Sequence, residues 1–131
     1  MKIPFSPPYI DQSVIDEVVD SLKSGWITTG PKCKLLEAEL KEYTGAQQVL
    51  TVNSWTSGAI LMLAWLGVKP GDEVIVPAYT YSATALAVLH AGAKPIMVDV
   101  GMDFNISVEA IRKAITSRTK AIIPVDIAGF P

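Results

Sequence analysis

Between Gln12 and Leu22 the apolar residues Val14, Ile15, Val18, Val19 and Leu22 recur at spacings of three and four, the stripe of one helix face. Asp11 stands where a helix takes its N-cap, and Ser24-Gly25 stands where it stops. Trp26-Ile27-Thr28-Thr29-Gly30 reads as a loop that opens on a large aromatic, and Pro31 occupies a favoured first helical position. The helix that follows carries Leu35, Leu36, Leu40 and Tyr43 and ends at Gly45.

After Gly45 the period changes. Gln48–Val52 reads as a strand, and Thr56–Leu66 as a helix apolar nearly all round. Pro70-Gly71-Asp72 is a turn, Glu73–Val76 a strand, and Ser82–His90 a second apolar helix closed by Gly92. Pro95–Asp99 is a strand, followed by a helix with Val108, Ile111 and Ile115 expected to face inward, and Lys120–Val125 is expected as a fourth strand. Short continuous apolar strands separated by helices predict an α/β fold, a mostly parallel sheet with helices on both faces. No repeat, low-complexity tract or linker interrupts the pattern, so residues 1–131 are expected to form one domain without an internal boundary. The last residues, Gly129-Phe130-Pro131, follow a buried strand directly, where a complete α/β domain is expected to continue into a covering helix.

Composition narrows the function classes. Half of the 131 residues are hydrophobic and 18% are charged, which excludes a disordered chain. Eleven basic against 13 acidic residues give a net charge of −2 with no basic block, so nucleic acid is not an expected partner. The longest apolar run, Ala59–Val68, has half of the ~20 residues a membrane span needs, and the N-terminus breaks at Pro4 without the apolar core of a signal peptide. A single cysteine, Cys33, builds no disulfide framework and fits a reducing cytoplasm, where it reads as a spectator. Yet a mean hydropathy of +0.34 is oily for a small free-standing domain, and predicts surface that something else covers.

In an open parallel sheet, ligands bind beyond the carboxyl ends of the strands. The first such end, Asn53-Ser54-Trp55-Thr56-Ser57-Gly58, runs straight into a helix whose unpaired N–H groups and positive dipole favour an anion, with hydroxyls at Thr56 and Ser57 as further donors. Ordinary capping by Ser54 or Thr56 explains the same residues. The turn is neither G-x-G-x-x-G nor a Walker loop, which disfavours dinucleotides and NTPs. At the second end, Tyr79-Thr80-Tyr81 supplies either a stacking wall for a ligand ring or a lid on the core. At the third, Asp99, Asp103 and Asn105 imitate part of a calcium loop. Phe104 stands where that loop requires Gly and Ala110 where it requires Glu, so no metal site is expected. His90, the lone histidine, ends an apolar helix and receives no role.

Several ordered motifs resemble the DegT/DnrJ/EryC1/StrS family of PLP-dependent sugar aminotransferases, where PLP is pyridoxal 5′-phosphate. They are Val68–Thr84 (VKPGDEVIVPAYTYSAT), Gly92-Ala93-Lys94-Pro95 with Val98-Asp99, Phe104-Asn105-Ile106, Thr119–Val125, and the early Ser24–Pro31. The resemblance covers essentially the whole chain. It implies the N-terminal part of the large domain of a fold-type-I PLP-dependent transferase. It also implies cofactor-binding residues at Trp55, Thr56 and Ser57 for the phosphate and at Tyr81 for the ring, with the loop around Trp26 near a sugar nucleotide. Family members often have Gly at the position of Trp55 and His at that of Asp126.

The lysine that holds the cofactor in this family, and the carboxylate against its pyridinium nitrogen, match no position of this sequence, so no catalytic residue is assigned. The expectation is therefore a fragment of an aminotransferase moving an amino group from an amino acid, glutamate being the model donor, to a nucleotide-linked keto-sugar in polysaccharide or amino-sugar biosynthesis. Alone, the chain is expected to be inactive and to assemble as a homodimer or other homo-oligomer. Two alternatives stand beside this one: a non-catalytic PLP- or phosphosugar-binding or regulatory module, and the family's sugar dehydratase branch.

Overall fold

The computed structural model describes residues 7–131, so the Pro4 break lies outside the described residues. The chain divides into two compact units, Met1–Thr51 and Val52–Pro131.

In the first unit, α1 spans Gln12–Ser24 and α2 spans Pro31–Thr44. Asp11 is extended, and its carboxylate accepts the Val14 N–H at 3.1 Å, satisfying one of the donors a helix start leaves unpaired. Gly25 and Gly45 close the two helices with φ of 74° and 71°, a left-handed conformation that glycine adopts without steric cost. The apolar stripe of α1 forms as the spacing predicts, but none of its residues is buried: Val14, Ile15, Val18, Val19 and Leu22 are all exposed, as are Leu35, Leu36, Leu40 and Tyr43 on α2. Near the start of α2, Lys32 reaches back to α1, pairing with Glu17 and, at 2.9 Å, with Asp20.

The strand expected over Gln48–Val52 does not form. A strand exists only with a neighbour to complete its ladder, and none of the described residues pairs with this one. The Thr51 N–H donates instead to the Glu37 carboxylate at 2.8 Å, and the Thr51 hydroxyl donates to the same oxygen at 2.8 Å. These bonds hold the Glu37 carboxyl below the usual carboxylate range, the backbone N–H contributing most.

The second unit carries the sheet. Its helices are α3 (Trp55–Trp65), α4 (Ala83–His90) and α5 (Val108–Ala114), and its strands β1 (Glu73–Pro77), β2 (Lys94–Val98) and β3 (Thr119–Ile122). The strand order is β2-β1-β3 with both pairings parallel, so the strand expected fourth in sequence is the third to form. Central β1 is buried throughout. Val74 and Val76 point to one face, packed with Leu63 of α3, Ala87 and Val88 of α4, and Val68 and Ala93. Ile75 points to the other face and is equally buried, so β1 is covered on both sides, as an uninterrupted apolar strand requires. Helix α5 packs on β2. Its expected inward stripe is only partly realised: Ile111 is half-buried, whereas Val108 and Ile115 are exposed. The helix is two turns long, and Ile115, with ψ of 130°, has already left it.

Glu73 begins β1 at the end away from the sheet's carboxyl edge. Its side chain is buried, with the Thr116 hydroxyl donating to one carboxylate oxygen at 2.6 Å and Arg118 donating to the other through Nε at 3.0 Å and Nη2 at 2.6 Å. The Thr116 hydroxyl and then the Arg118 guanidinium hold this carboxyl below the usual range, against the opposing effect of burial. The same residues tie β1 to the turn before β3, where the register slips by one residue between Glu73 and Val74.

Candidate cofactor cleft

The carboxyl ends of β1 and β3 and the start of α3 meet around a cleft of about 630 Å³. Trp55 and Thr56 line it from α3, Thr80 and Tyr81 from the segment after β1, Thr84 from α4, and Asp126 from the segment after β3. Three of the sequence-predicted cofactor residues, Trp55, Thr56 and Tyr81, are thereby brought together.

Ser57 is not among the lining residues. Its N–H donates to Ser54 Oγ at 3.1 Å, and its hydroxyl accepts from the same Ser54 Oγ at 3.0 Å. Ser54 is thus the N-cap and Thr56 is not. Capping and anion binding are compatible here, because the cap uses the third N–H of the helix. Among the described residues the Trp55 and Thr56 N–H groups have no protein acceptor, and they lie in the first turn, where the helix dipole is positive.

The two tyrosines separate. Tyr81 is exposed on the cleft wall, whereas Tyr79 lies with its ring centroid 5.3 Å from that of Phe104, tilted by 41°. Neither closes the core. Sequence reasoning missed Thr80 and Thr84, whose hydroxyls meet at 2.9 Å and fix the segment that presents Tyr81. Their four-residue spacing was the available signal. Thr84 is also capped into place, its N–H donating to the Tyr81 carbonyl at 3.0 Å. Among the described residues, Asp126 is the only carboxylate lining the cleft, and no lysine lines it.

Trp26 belongs to the first unit. Its Nε1–H donates to the Thr29 carbonyl at 3.0 Å, folding the indole over Gly30. A Cβ at Gly30 would collide with the Trp26 ring, so the indole lies over Gly30 only because no side chain stands there; the φ of −162° is ordinary extended backbone. With Asp20, Lys32 and Cys33, Trp26 lines a hollow of about 420 Å³.

A parallel sheet flanked by helices, with a helix N-terminus and an aromatic wall beyond its carboxyl ends, is the arrangement of the fold-type-I PLP aminotransferases. The chain belongs to the DegT/DnrJ/EryC1/StrS aminotransferase family, whose model matches residues 8–131. It is 47% identical to the UDP-4-amino-4-deoxy-L-arabinose–oxoglutarate aminotransferase of Shewanella sediminis over 97% of this chain and 33% of that protein. It is 40% identical to the spore coat polysaccharide biosynthesis protein SpsC of Bacillus subtilis over 97% of this chain and 33% of that one. Spr1654 of Streptococcus pneumoniae, solved with PLP, superposes with a TM-score of 0.92 at 51% identity, covering 100% of this chain and 34% of its own. The same protein has been solved in its pyridoxamine-phosphate form. The family is PLP-dependent. The chain spans about a third of the length of the relatives it matches.

Proposed function

We propose that this chain carries the phosphate and ring subsites of a PLP-dependent aminotransferase that moves an amino group from an amino acid, glutamate being the model donor, to a nucleotide-linked keto-sugar for polysaccharide or amino-sugar biosynthesis in the cytoplasm. The observation that carries the reading is the meeting of the α3 N-terminus with Tyr81 in one cleft at the sheet's carboxyl edge. The donor set fits a phosphorylated aromatic ring. Thr56 offers its hydroxyl and N–H, Trp55 its N–H, and the helix dipole adds about 0.3–1 kcal/mol for an anion. Tyr81 offers a ring face to stack on, worth about 0.5–1.5 kcal/mol beyond burial. Ser57 serves the phosphate indirectly, by completing the Ser54 cap that orients the turn. When bound, PLP supplies an electron sink for the pair released at the carbon that bears the amino group.

Trp26 is assigned to the sugar nucleotide, its exposed indole offering a flat apolar face. The exposed stripes of α1 and α2 support a homodimer or other homo-oligomer, since contiguous apolar faces of that kind are covered in working proteins. Among the described residues no helix is long and apolar enough to cross a membrane.

The 131-residue chain by itself does not transaminate, because among the described residues no lysine lines the cleft to hold the cofactor and shuttle a proton. The test has two parts. Pyridoxine 5′-phosphate has the ring and phosphate but no aldehyde to react with the nine lysines, and should bind the chain. Thr56→Ala and Tyr81→Ala should each weaken that binding; absence of binding by the unaltered chain overturns the cofactor reading. The chain mixed with PLP, glutamate and a keto-sugar nucleotide should release no 2-oxoglutarate above a PLP-only control. Turnover that vanishes in Tyr81→Ala would overturn the inactivity.

A further inference from the structure

The loop between β2 and α5 supplies no wall of the cleft, yet two consecutive residues in it grip two of the segments that do, the one after β3 and the one after β1. Asn105 uses both ends of its side-chain amide. Its Oδ1 accepts the Ile127 N–H at 3.2 Å, and its Nδ2–H donates to the Phe130 carbonyl at 3.0 Å. Between those two anchors lies a single 3-10 turn, Ile127–Gly129, in which Ala128 takes φ 55° and ψ 23°. A residue with a Cβ is disfavoured in that left-handed region, so the turn persists only if its surroundings hold it. Asp126 and Ala128, which line the cleft, flank the first anchor. Phe104, the residue before, is itself left-handed at φ 66° and places its ring against Tyr79, two residues ahead of Tyr81.

The loop is fixed in turn from within. The Asn105 N–H donates to Asp103 Oδ1 at 3.1 Å, the Gly101 N–H donates to the Asn105 carbonyl at 2.8 Å, and Val100 and Ile106 form an antiparallel bridge. Asp103 and Asn105, two of the residues that imitate a calcium loop in the sequence, thus act as a brace.

We propose that Asn105 is a positioning residue of the cofactor cleft, stapling the Asp126–Ala128 wall in register with Thr56 and Tyr81, while Phe104 steadies the Tyr79–Tyr81 wall. The proposal rests on the cofactor reading for what the cleft holds, but not for the staple itself. Two readouts on the 131-residue chain keep the two apart. The first is amide exchange at Gly129 and Phe130, whose N–H groups donate to the Asp126 and Ile127 carbonyls inside the turn and never touch Asn105 directly. The second is equilibrium dialysis against pyridoxine 5′-phosphate, well below the melting temperature.

Asn105→Ala should speed exchange at both amides about tenfold and weaken ligand binding about fivefold, the effect of losing one or two hydrogen bonds. Asn105→Asp keeps an acceptor for Ile127 and loses the donor for Phe130, so it should fall between. Ala128→Gly removes the conformational penalty, and in that background Asn105→Ala should cost less on both readouts. A lowered melting temperature with unchanged turn exchange and unchanged affinity overturns the proposal, as does faster exchange with unchanged affinity. If the unaltered chain binds no pyridoxine 5′-phosphate, the cofactor reading fails. The exchange data then decide the staple alone: faster exchange upholds it and unchanged exchange overturns it.

Discussion

The two units of this chain are built from equally well-formed elements and differ in what those elements bury. In Val52–Pro131, the residues of β1 and their partners on α3 and α4 are sealed from solvent. In the described part of Met1–Thr51, two capped helices carry apolar stripes of which no residue is buried, and Gly30 beneath Trp26 is the one buried residue. Local sequence therefore suffices to start, stop and phase a helix, whereas burial depends on a partner surface that local sequence does not specify.

A charge placed on each apolar face gives the sharpest test of that contrast. Val76→Asp sets an unpaired carboxylate in the middle of β1, where an uncompensated buried charge costs about 3–5 kcal/mol, and the sheet unit should lose its cooperative urea transition. Leu22→Asp lies on an exposed face of α1 and should leave helix content within about 0.5 kcal/mol of the parent by circular dichroism. If the α1 and α2 stripes meet a second copy, Leu22→Asp should instead weaken self-association at least about tenfold by light scattering, the cost of losing a central interface residue. Equal loss of fold in both variants would erase the distinction between the units.

The same contrast explains what could be read in the sequence. Asp11, Gly25, Pro31 and Gly45 mark their helix ends through local backbone chemistry, and each structural boundary falls where those residues stand. The parallel sheet was equally legible, because Val74, Ile75 and Val76 form a run that only a strand covered on both faces explains. Gln48–Val52 is a similarly short, mostly apolar run that pairs with no strand among the described residues, and local pattern cannot distinguish the two cases. The cleft was half legible. Thr56 announces itself by opening a helix and Tyr81 by following a strand end, but Asn105 acts on residues more than 20 positions away and Thr84 through a half-buried hydroxyl pair. A contact over that distance leaves no periodicity to find, and the threonine pair leaves only its four-residue spacing.

Acid should separate the units next. Glu37 in the first and Glu73 in the second are both held below the usual carboxylate range by their partners, so each stabilises the fold above about pH 4.5 and loses that contribution as pH falls through its depressed value. Glu73→Gln should lower the urea midpoint of the sheet unit at pH 7 and flatten its dependence on acid pH. Glu37→Gln should leave the sheet unit unchanged and speed exchange at the Thr51 amide alone. A common response of both regions to either variant would mean that they unfold as one.

Within the second unit, loss of the Thr56 hydroxyl should weaken pyridoxine 5′-phosphate binding about twelvefold, the worth of one hydrogen bond to a charged group at its lower end of about 1.5 kcal/mol. Ser54→Ala should reduce helix stability by about 1 kcal/mol through the lost cap and weaken the ligand less than Thr56→Ala does. The reverse order would place the phosphate on the cap rather than on the hydroxyl beside it.

The smallest effect concerns charge, and the two hollows answer it differently. Asp20 borders the hollow beside Trp26, where the Lys32 ammonium lies 2.9 Å from its carboxylate. Asp126 borders the cleft, and among the described residues that line it there is no cationic side chain. A dianionic phosphate entering that cleft meets Asp126 as an uncompensated like charge, partly screened because the residue is exposed. Asp126→Asn should accordingly tighten inorganic phosphate and pyridoxine 5′-phosphate about two- to fivefold at low salt, corresponding to the ~0.5–1 kcal/mol of an exposed charge interaction. The gain should shrink as sodium chloride approaches about 1 M, where the Debye length is near 3 Å. Asp20→Asn, in the other unit, should leave the affinity for both anions unchanged. Tighter binding in Asp126→Asn that persists at high salt would trace the gain to the shape of the Asp126–Ala128 wall, and place the selectivity of the cleft in its turn geometry instead of its charge.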